Sequence, residues 1–270
     1  MISKISDICI LSDVDNTLYR KNTGIPQRNI EAIERFKSKG GRFALSTGRS
    51  MFSARPIQNK IGFNLPCILI NGGAIYDYRE EKYLNRIFLP NYFKDYVNEI
   101  FNKYKDIGMV IVNEEGYHCL DDGNERQGMF NTPTVSKKYD PDNLPSDAYK
   151  VVLSVPVEKC HEILIELTKK DYKGVDFVST DAFYIDMLPH DVNKGNGVKK
   201  LSEIIDVPLE NIITVGDYYN DITMLSAVPV SACVSESPDK IKNICKIHLG
   251  KFEDGAIADL IEYLEEKYEK

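Results

Sequence analysis

Short apolar runs alternate with stretches of helical periodicity, and polar clusters sit where the apolar runs end. This alternation constrains the fold more than any other feature of the chain. Ile8 to Leu11, Arg42 to Leu45 and Pro66 to Ile70 read as buried strands. Between them, Pro26 to Lys39 places Ile30, Ile33, Phe36 and Lys37 at 3–4 spacing, with Gly40-Gly41 as its stop. Ser50 to Ile61 is also helical in period, with Pro56 as a kink or late start. Strand, helix, strand, helix, strand at this spacing predicts a parallel sheet covered by helices.

The pattern breaks between residues 81 and 189. This stretch is rich in Tyr, Phe, Asn and Asp, with turn signals at Gly116, Gly123, Pro141, Pro145 and Gly174. It reads as a separate α+β unit: helices at Tyr92 to Tyr104 and Val157 to Lys169, strands at Met109 to Val112, Val151 to Val155 and Phe183 to Met187. The α/β alternation then resumes with helices at Val198 to Ile205 and Asp221 to Ala227, strands at Ile212 to Val215 and Val230 to Val234, and a closing helix at Gly255 to Lys267. The expected organisation is a discontinuous core, residues 1–80 and 190–270, with an insertion at 81–189. The acidic tail EYLEEKYEK reads as a solvated helix face.

Of 270 residues, 43% are apolar and 28% charged, ordinary for a soluble protein with a sizeable core. A net charge of −7 argues against nucleic acid as the main partner. It leaves room for a small phosphorylated substrate, which needs only local cations. No apolar run reaches the length of about 18 residues that spans a membrane, and no signal-peptide pattern opens the chain. The six cysteines form no CxxC pair and read as free thiols of a cytoplasmic protein.

In open parallel sheets, sites form beyond the carboxyl ends of strands. Four polar clusters lie there: Asp13, Asp15 and Thr17; Ser46-Thr47-Gly48-Arg49; Lys194-Gly195; and Gly216-Asp217 with Asn220 and Asp221. Asp13, Asp15, Asp217 and Asp221 cannot sit together unneutralised, so a hard, oxygen-liganded cation such as Mg²⁺ is expected. Zinc fits poorly, because His118-Cys119 and Cys160-His161 lack ligand spacing. Thr47 and the Gly48 amide suit a phosphate, and Lys194 offers it a point charge. The chain has no GxxxxGK[ST] nucleotide loop. A carboxylate nucleophile and a second carboxylate as proton carrier would together serve phosphoryl transfer.

Asp13-Val14-Asp15-Asn16-Thr17 resembles the DxDxT signature of the haloacid dehalogenase-like (HAD) superfamily, and the other clusters follow in that family's order. STGR at 46–49, NGG at 71–73, KG at 194–195 and GDYYNDITML at 216–225 resemble its Cof-type branch, subfamily IIB. The resemblance implies a Rossmann-like α/β core, a parallel sheet with helices on both faces, and an inserted α+β cap of C2B type. It implies a phosphatase of small phosphomonoesters such as sugar phosphates. Asp13 would be nucleophile and Mg²⁺ ligand. Asp15 would be general acid/base and ligate through its carbonyl. Asp217 would be a third ligand. Thr47 and the Gly48 amide would hold the phosphoryl group, Lys194 would offset charge between Asp13 and phosphate, Asn220 would contact phosphate or a metal-bound water, and Asp221 would orient Lys194 or the metal's waters. A phosphomutase of the phosphomannomutase type, or a silent sugar-phosphate-binding regulator, stays open at this point. Arg49 stands open between substrate contact and a structural role, and His190 between substrate contact and an exposed loop. Asn16 departs from the Gly commoner at its position.

Overall fold

The computed structural model describes residues 2–121, 135–138 and 143–269. The turn signals at Gly123 and Pro141 lie outside them. The chain divides into two compact units: Met1–Arg86 with Asn193–Lys270, and Ile87–Val192.

The first unit opens with β1 (Cys9–Ser12), α1 (Gln27–Ser38), β2 (Arg42–Leu45), α2 (Met51–Ile61), β3 (Cys67–Leu69), β4 (Ala74–Asp77) and β5 (Lys82–Arg86). The second holds α3 (Phe93–Lys103), β6 (Gly108–Asn113), β7 (Gly116–Asp121), β8 (Val135–Lys138), β9 (Lys150–Ser154), α4 (Cys160–Lys169), β10 (Val175–Asp181) and β11 (Tyr184–Pro189). The first unit then resumes with α5 (Lys194–Ile204), β12 (Ile212–Gly216), α6 (Ile222–Leu225), β13 (Val230–Cys233), α7 (Asp239–Lys242), β14 (Ile247–His248) and α8 (Ala256–Tyr268).

A five-stranded parallel sheet, ordered β14-β13-β12-β1-β2, forms the heart of the first unit. Every residue of β1 is fully buried, so the sheet is covered on both faces, as parallel sheets require. A single bridge from Ser46 to Ile68 joins β2 to β3, and β3, β4 and β5 make a small antiparallel sheet. The β4–β5 pairing keeps residues 82–86 in this unit. The division therefore falls after Arg86 rather than after residue 80, and the return comes at Asn193 rather than at residue 190.

The helices follow from their buried stripes. Asn29, Ala32, Ile33 and Phe36 face inward on α1, one turn apart. Asn29 Oδ1 accepts from Ala258 N at 2.9 Å, tying α1 to the first turn of α8, where that same N–H also reaches Gly255 O. The acidic face of α8 is not simply solvated. Asp259 and Glu262 pair with Arg28, and Glu265 with Arg35 and Lys39, at 2.5–3.0 Å. Helix α2 starts after Ser50, whose side chain accepts from Ser53 N, and it runs through Pro56 without a late start.

In the second unit a six-stranded sheet, ordered β10-β11-β9-β6-β7-β8, is antiparallel except for β7 with β8. Helices α3 and α4 share its apolar core with Met109, Ile111, Val151, Leu153 and Met187. Alternation puts Lys150 and Asp186 on the opposite face, where they form a buried ion pair at 2.6 Å. The six cysteines are free and buried. No helix among the described residues is long and apolar enough to cross a membrane.

Candidate functional site

The predicted residues of the first unit gather at the carboxyl ends of three neighbouring strands, β2, β1 and β12. Asp13 N donates to Val215 O at 2.8 Å, extending the β1–β12 ladder by one residue. Ser46 N donates to Ser12 O at 2.8 Å and Thr47 N to Ile68 O at 2.9 Å, which seats Thr47 between the ends of β1 and β3. Gly48 follows, half-buried; a methyl group there would meet Asn71 Oδ1 at 2.9 Å.

The chain after Asp13 winds around one carbonyl. Val14 O accepts from Thr17, Leu18 and Tyr19 N. The reversal needs a left-handed residue, and Asn16 supplies it at φ 62°. Asparagine tolerates that region better than other side chains do. The departure from Gly at this position thus keeps the turn. Thr17, fully buried, donates its hydroxyl to Asp217 Oδ1 at 2.9 Å and ties the β1 loop to the β12 loop.

Lys194 is the first residue of α5, capped by the Asn193 side chain. Its buried ammonium donates to Asp13 Oδ1 at 2.5 Å and to Asp221 Oδ1 at 2.6 Å. The other oxygen of Asp221 accepts from Asp217 N at 2.9 Å and Tyr218 N at 3.2 Å. Gly216 makes this possible, because a Cβ there would lie 2.5 Å from Asp221 Oδ2. Asp221 therefore has both oxygens committed to holding Lys194 and the loop. Asn220 is half-buried in the turn between Asp217 and Asp221.

Carboxylate oxygens of Asp13, Asp217 and Asp221 lie within 4.8 Å of one another. Burial foremost, opposed by Lys194 and reinforced by the charges of Asp221 and Asp15, pushes Asp13 up to about 7. Burial, then the charges of Asp13 and Asp221, pushes Asp217 up to about 8. Such a cluster is short of positive charge. Its donors are hard oxygens, without histidine or thiolate, and that chemistry fits a hard divalent cation. Asp13, Asp217 and Asp221 could hold it, and Asp221, with both oxygens already accepting, is the least available of the three.

Asp15 stands at the exposed rim of this cluster, and His190 lies outside it. The Asp15 carboxylate points to solvent, 57% exposed, and is clasped by Arg49 through Nε–Oδ2 at 2.9 Å and Nη2–Oδ1 at 2.6 Å. His190 belongs to the second unit, exposed and paired with Asp176 at 3.1 Å, an interaction that raises its pKa. In the sequence Thr17 carries no expected task beyond its place in the motif. The Thr17–Asp217 contact joins residues far apart in the chain, so only the motif's threonine hinted at it.

Residues 10–261 match the haloacid dehalogenase-like hydrolase family. The 5-amino-6-(5-phospho-D-ribitylamino)uracil phosphatase YitU of Bacillus subtilis is 25% identical over 94% of this chain and 96% of its own length. The pyridoxal phosphate phosphatase YbhA of Escherichia coli is 21% identical, over 93% and 96%. The solved structure of a HAD/COF-like hydrolase from Plasmodium vivax superposes with a TM-score of 0.86 at 21% identity, over 97% of this chain and 96% of that one. With its carboxylates, lysine and parallel sheet in this arrangement, the chain belongs to the haloacid dehalogenase-like hydrolases, a family in which both of these curated relatives are phosphatases.

Proposed function

We propose that this protein is a magnesium-dependent phosphatase of small phosphomonoesters, sugar phosphates foremost, working through an aspartyl-phosphate on Asp13. The observation that carries the reading is the buried Asp13–Lys194–Asp221 chain beside Asp217. It presents one carboxylate held by a cation, next to a second carboxylate suited to a metal. The substrates of the two relatives, a phosphoribityl compound and pyridoxal phosphate, are both small phosphomonoesters and support the class.

Bound Mg²⁺, held by Asp13, Asp217 and the backbone carbonyl of Asp15, would supply charge neutralisation to the carboxylates and to the phosphoryl oxygens. Lys194 fixes the Asp13 carboxylate through Oδ1 and offsets the negative charge arriving with the phosphoryl group. Thr47, the Gly48 amide and Asn220 hold the phosphoryl oxygens. An oxygen of Asp13 attacks phosphorus in line, and the bond to the leaving oxygen breaks. Asp15 gives a proton to that leaving alcohol. Water then attacks the aspartyl-phosphate, Asp15 takes its proton, and Asp13 is restored with release of phosphate. Asp221 keeps Lys194 and the 217–218 amides in place throughout. Residues 87–192 act as the substrate-discriminating cap, of the C2 type.

Phosphate release over a panel of sugar phosphates and other phosphoesters tests this, with Mg²⁺ or EDTA, in wild type and Asp13→Asn. Activity should require Mg²⁺ and fall about a thousandfold or more in Asp13→Asn. Equal rates in the two proteins would remove Asp13 as nucleophile. Turnover that depends on an added sugar bisphosphate would assign a mutase instead, and no turnover on any ester a regulator.

A further inference from the structure

Arg49 makes contacts that the proposed chemistry does not use. Its guanidinium donates to both oxygens of Asp15, lies over the Tyr19 ring at 4.9 Å, and donates through Nη1 to Ser53 O at 3.2 Å. The Arg49 side chain is 23% exposed, against 57% for Asp15. The arginine is therefore the anchored partner and the carboxylate the movable one. Ring and carbonyl fix the guanidinium plane, while Asp15 stands at the rim on a short side chain. An unheld carboxylate there would sample several rotamers, and a proton donor must sit within hydrogen-bond reach of the leaving oxygen.

We propose that Arg49 is a positioning residue: it holds the Asp15 side chain in the orientation from which Asp15 exchanges a proton with the leaving group. This rests on the phosphatase reading above. Each Asp15 oxygen accepts one bond from Arg49 in the resting arrangement and keeps a second lone pair, so the clasp holds the carboxylate in place while a proton passes to or from it.

The dependence of kcat/KM on the leaving group tests this, because it reports the first phosphoryl transfer. Glycerol phosphate needs a proton on its departing alkoxide; p-nitrophenyl phosphate departs without one. Wild type, Arg49→Met, Arg49→Lys, Asp15→Asn and the Arg49→Met/Asp15→Asn double variant are assayed on both esters with Mg²⁺. In Arg49→Met the ratio of kcat/KM, glycerol phosphate over p-nitrophenyl phosphate, should fall about tenfold or more. Arg49→Lys, with one point charge in place of a fork, should recover part of it. In the Asp15→Asn background Arg49→Met should not lower the ratio further, because the residue through which it acts is gone. Equal losses on both esters with raised KM would make Arg49 a substrate-binding residue and overturn the proposal, as would an unchanged ratio in Arg49→Met or Arg49→Lys. Wild type that cleaves neither these esters nor any other of the panel would fail differently, by removing the phosphatase reading itself.

Discussion

Lys194 shows how closely balanced the individual charges of this site are. Burial pulls its pKa down, but Asp13 and Asp221 together more than offset that, so the ammonium stays charged in the interior. Removing it would leave Asp13 and Asp221 buried without their cation, and breaking a buried pair from one side costs more than the pair contributes. Lys194→Met is expected to lose about 3 kcal/mol or more of stability in EDTA, measured by urea unfolding, and to have no detectable phosphatase activity. A Lys194→Met protein as stable as wild type would mean that the carboxylates relax apart or take up protons without cost. The legibility of single residues divides along the same line. Asp13, Lys194, Asp217 and Asp221 were readable because each sits in a local motif at a strand or helix end. The Arg49–Asp15 clasp was not, since Arg49 could equally face substrate or sheet, and only the stacked Tyr19 and the Ser53 carbonyl fix its direction.

Among elements, the β4–β5 hairpin departs most from the alternating pattern, and it is held partly by charge. Glu81 sits in its turn at φ 50°. Its carboxylate takes two hydrogen bonds from Arg55 of α2 and one from Tyr76 of β4, at 2.6–2.8 Å. Arg55 first, then Tyr76, hold the Glu81 carboxyl down to about 2. A carboxyl with a depressed folded pKa stabilises the native state fully above its unfolded value, near 4.5, and loses that contribution as pH falls through the folded one. Glu81→Gln should therefore melt below wild type at pH 7, and the gap should close as pH falls from about 4.5 to 2; a gap independent of pH would point to packing instead. The strands buried on both faces, such as β1 (CILS) and β12 (IITVG), were legible as unbroken apolar runs. Strand β5 was not, because KYLNR is half-exposed and carries no apolar signature. The six-residue β7, GYHCLD, drew attention for its His-Cys pair rather than for its alternation. The acidic face of α8 looked solvated because its partners lie on α1, more than two hundred residues earlier.

At the scale of the whole molecule, the inserted unit can be treated as a removable part. The first unit has its own twice-covered sheet, and the second its own apolar core under α3 and α4. The two ends of the first unit at the insertion lie near each other within it. Arg86 pairs with Ala74 across β4–β5, and Gly72, two residues earlier, packs against the carbonyl of Asn193. A linker of about six Gly/Ser residues, reaching up to about 20 Å, should therefore replace residues 87–192. The break in α/β alternation predicts an insertion with edges at 80 and 190, short of Arg86 and Asn193, because nothing in the composition marks the end of the half-exposed β5. If the insertion discriminates substrates and the core performs the chemistry, the shortened chain should unfold cooperatively, gain thermal stability from added Mg²⁺, and still cleave p-nitrophenyl phosphate. Its kcat/KM values across the phosphoester panel should converge, with the spread between best and worst substrates shrinking about tenfold or more, since an extra contact in a binding pocket contributes about that factor. Undiminished discrimination would place specificity in the core instead. A shortened chain that fails to fold, while the full chain folds normally, would show that residues 87–192 belong to the stability of the core rather than only to its choice of substrate.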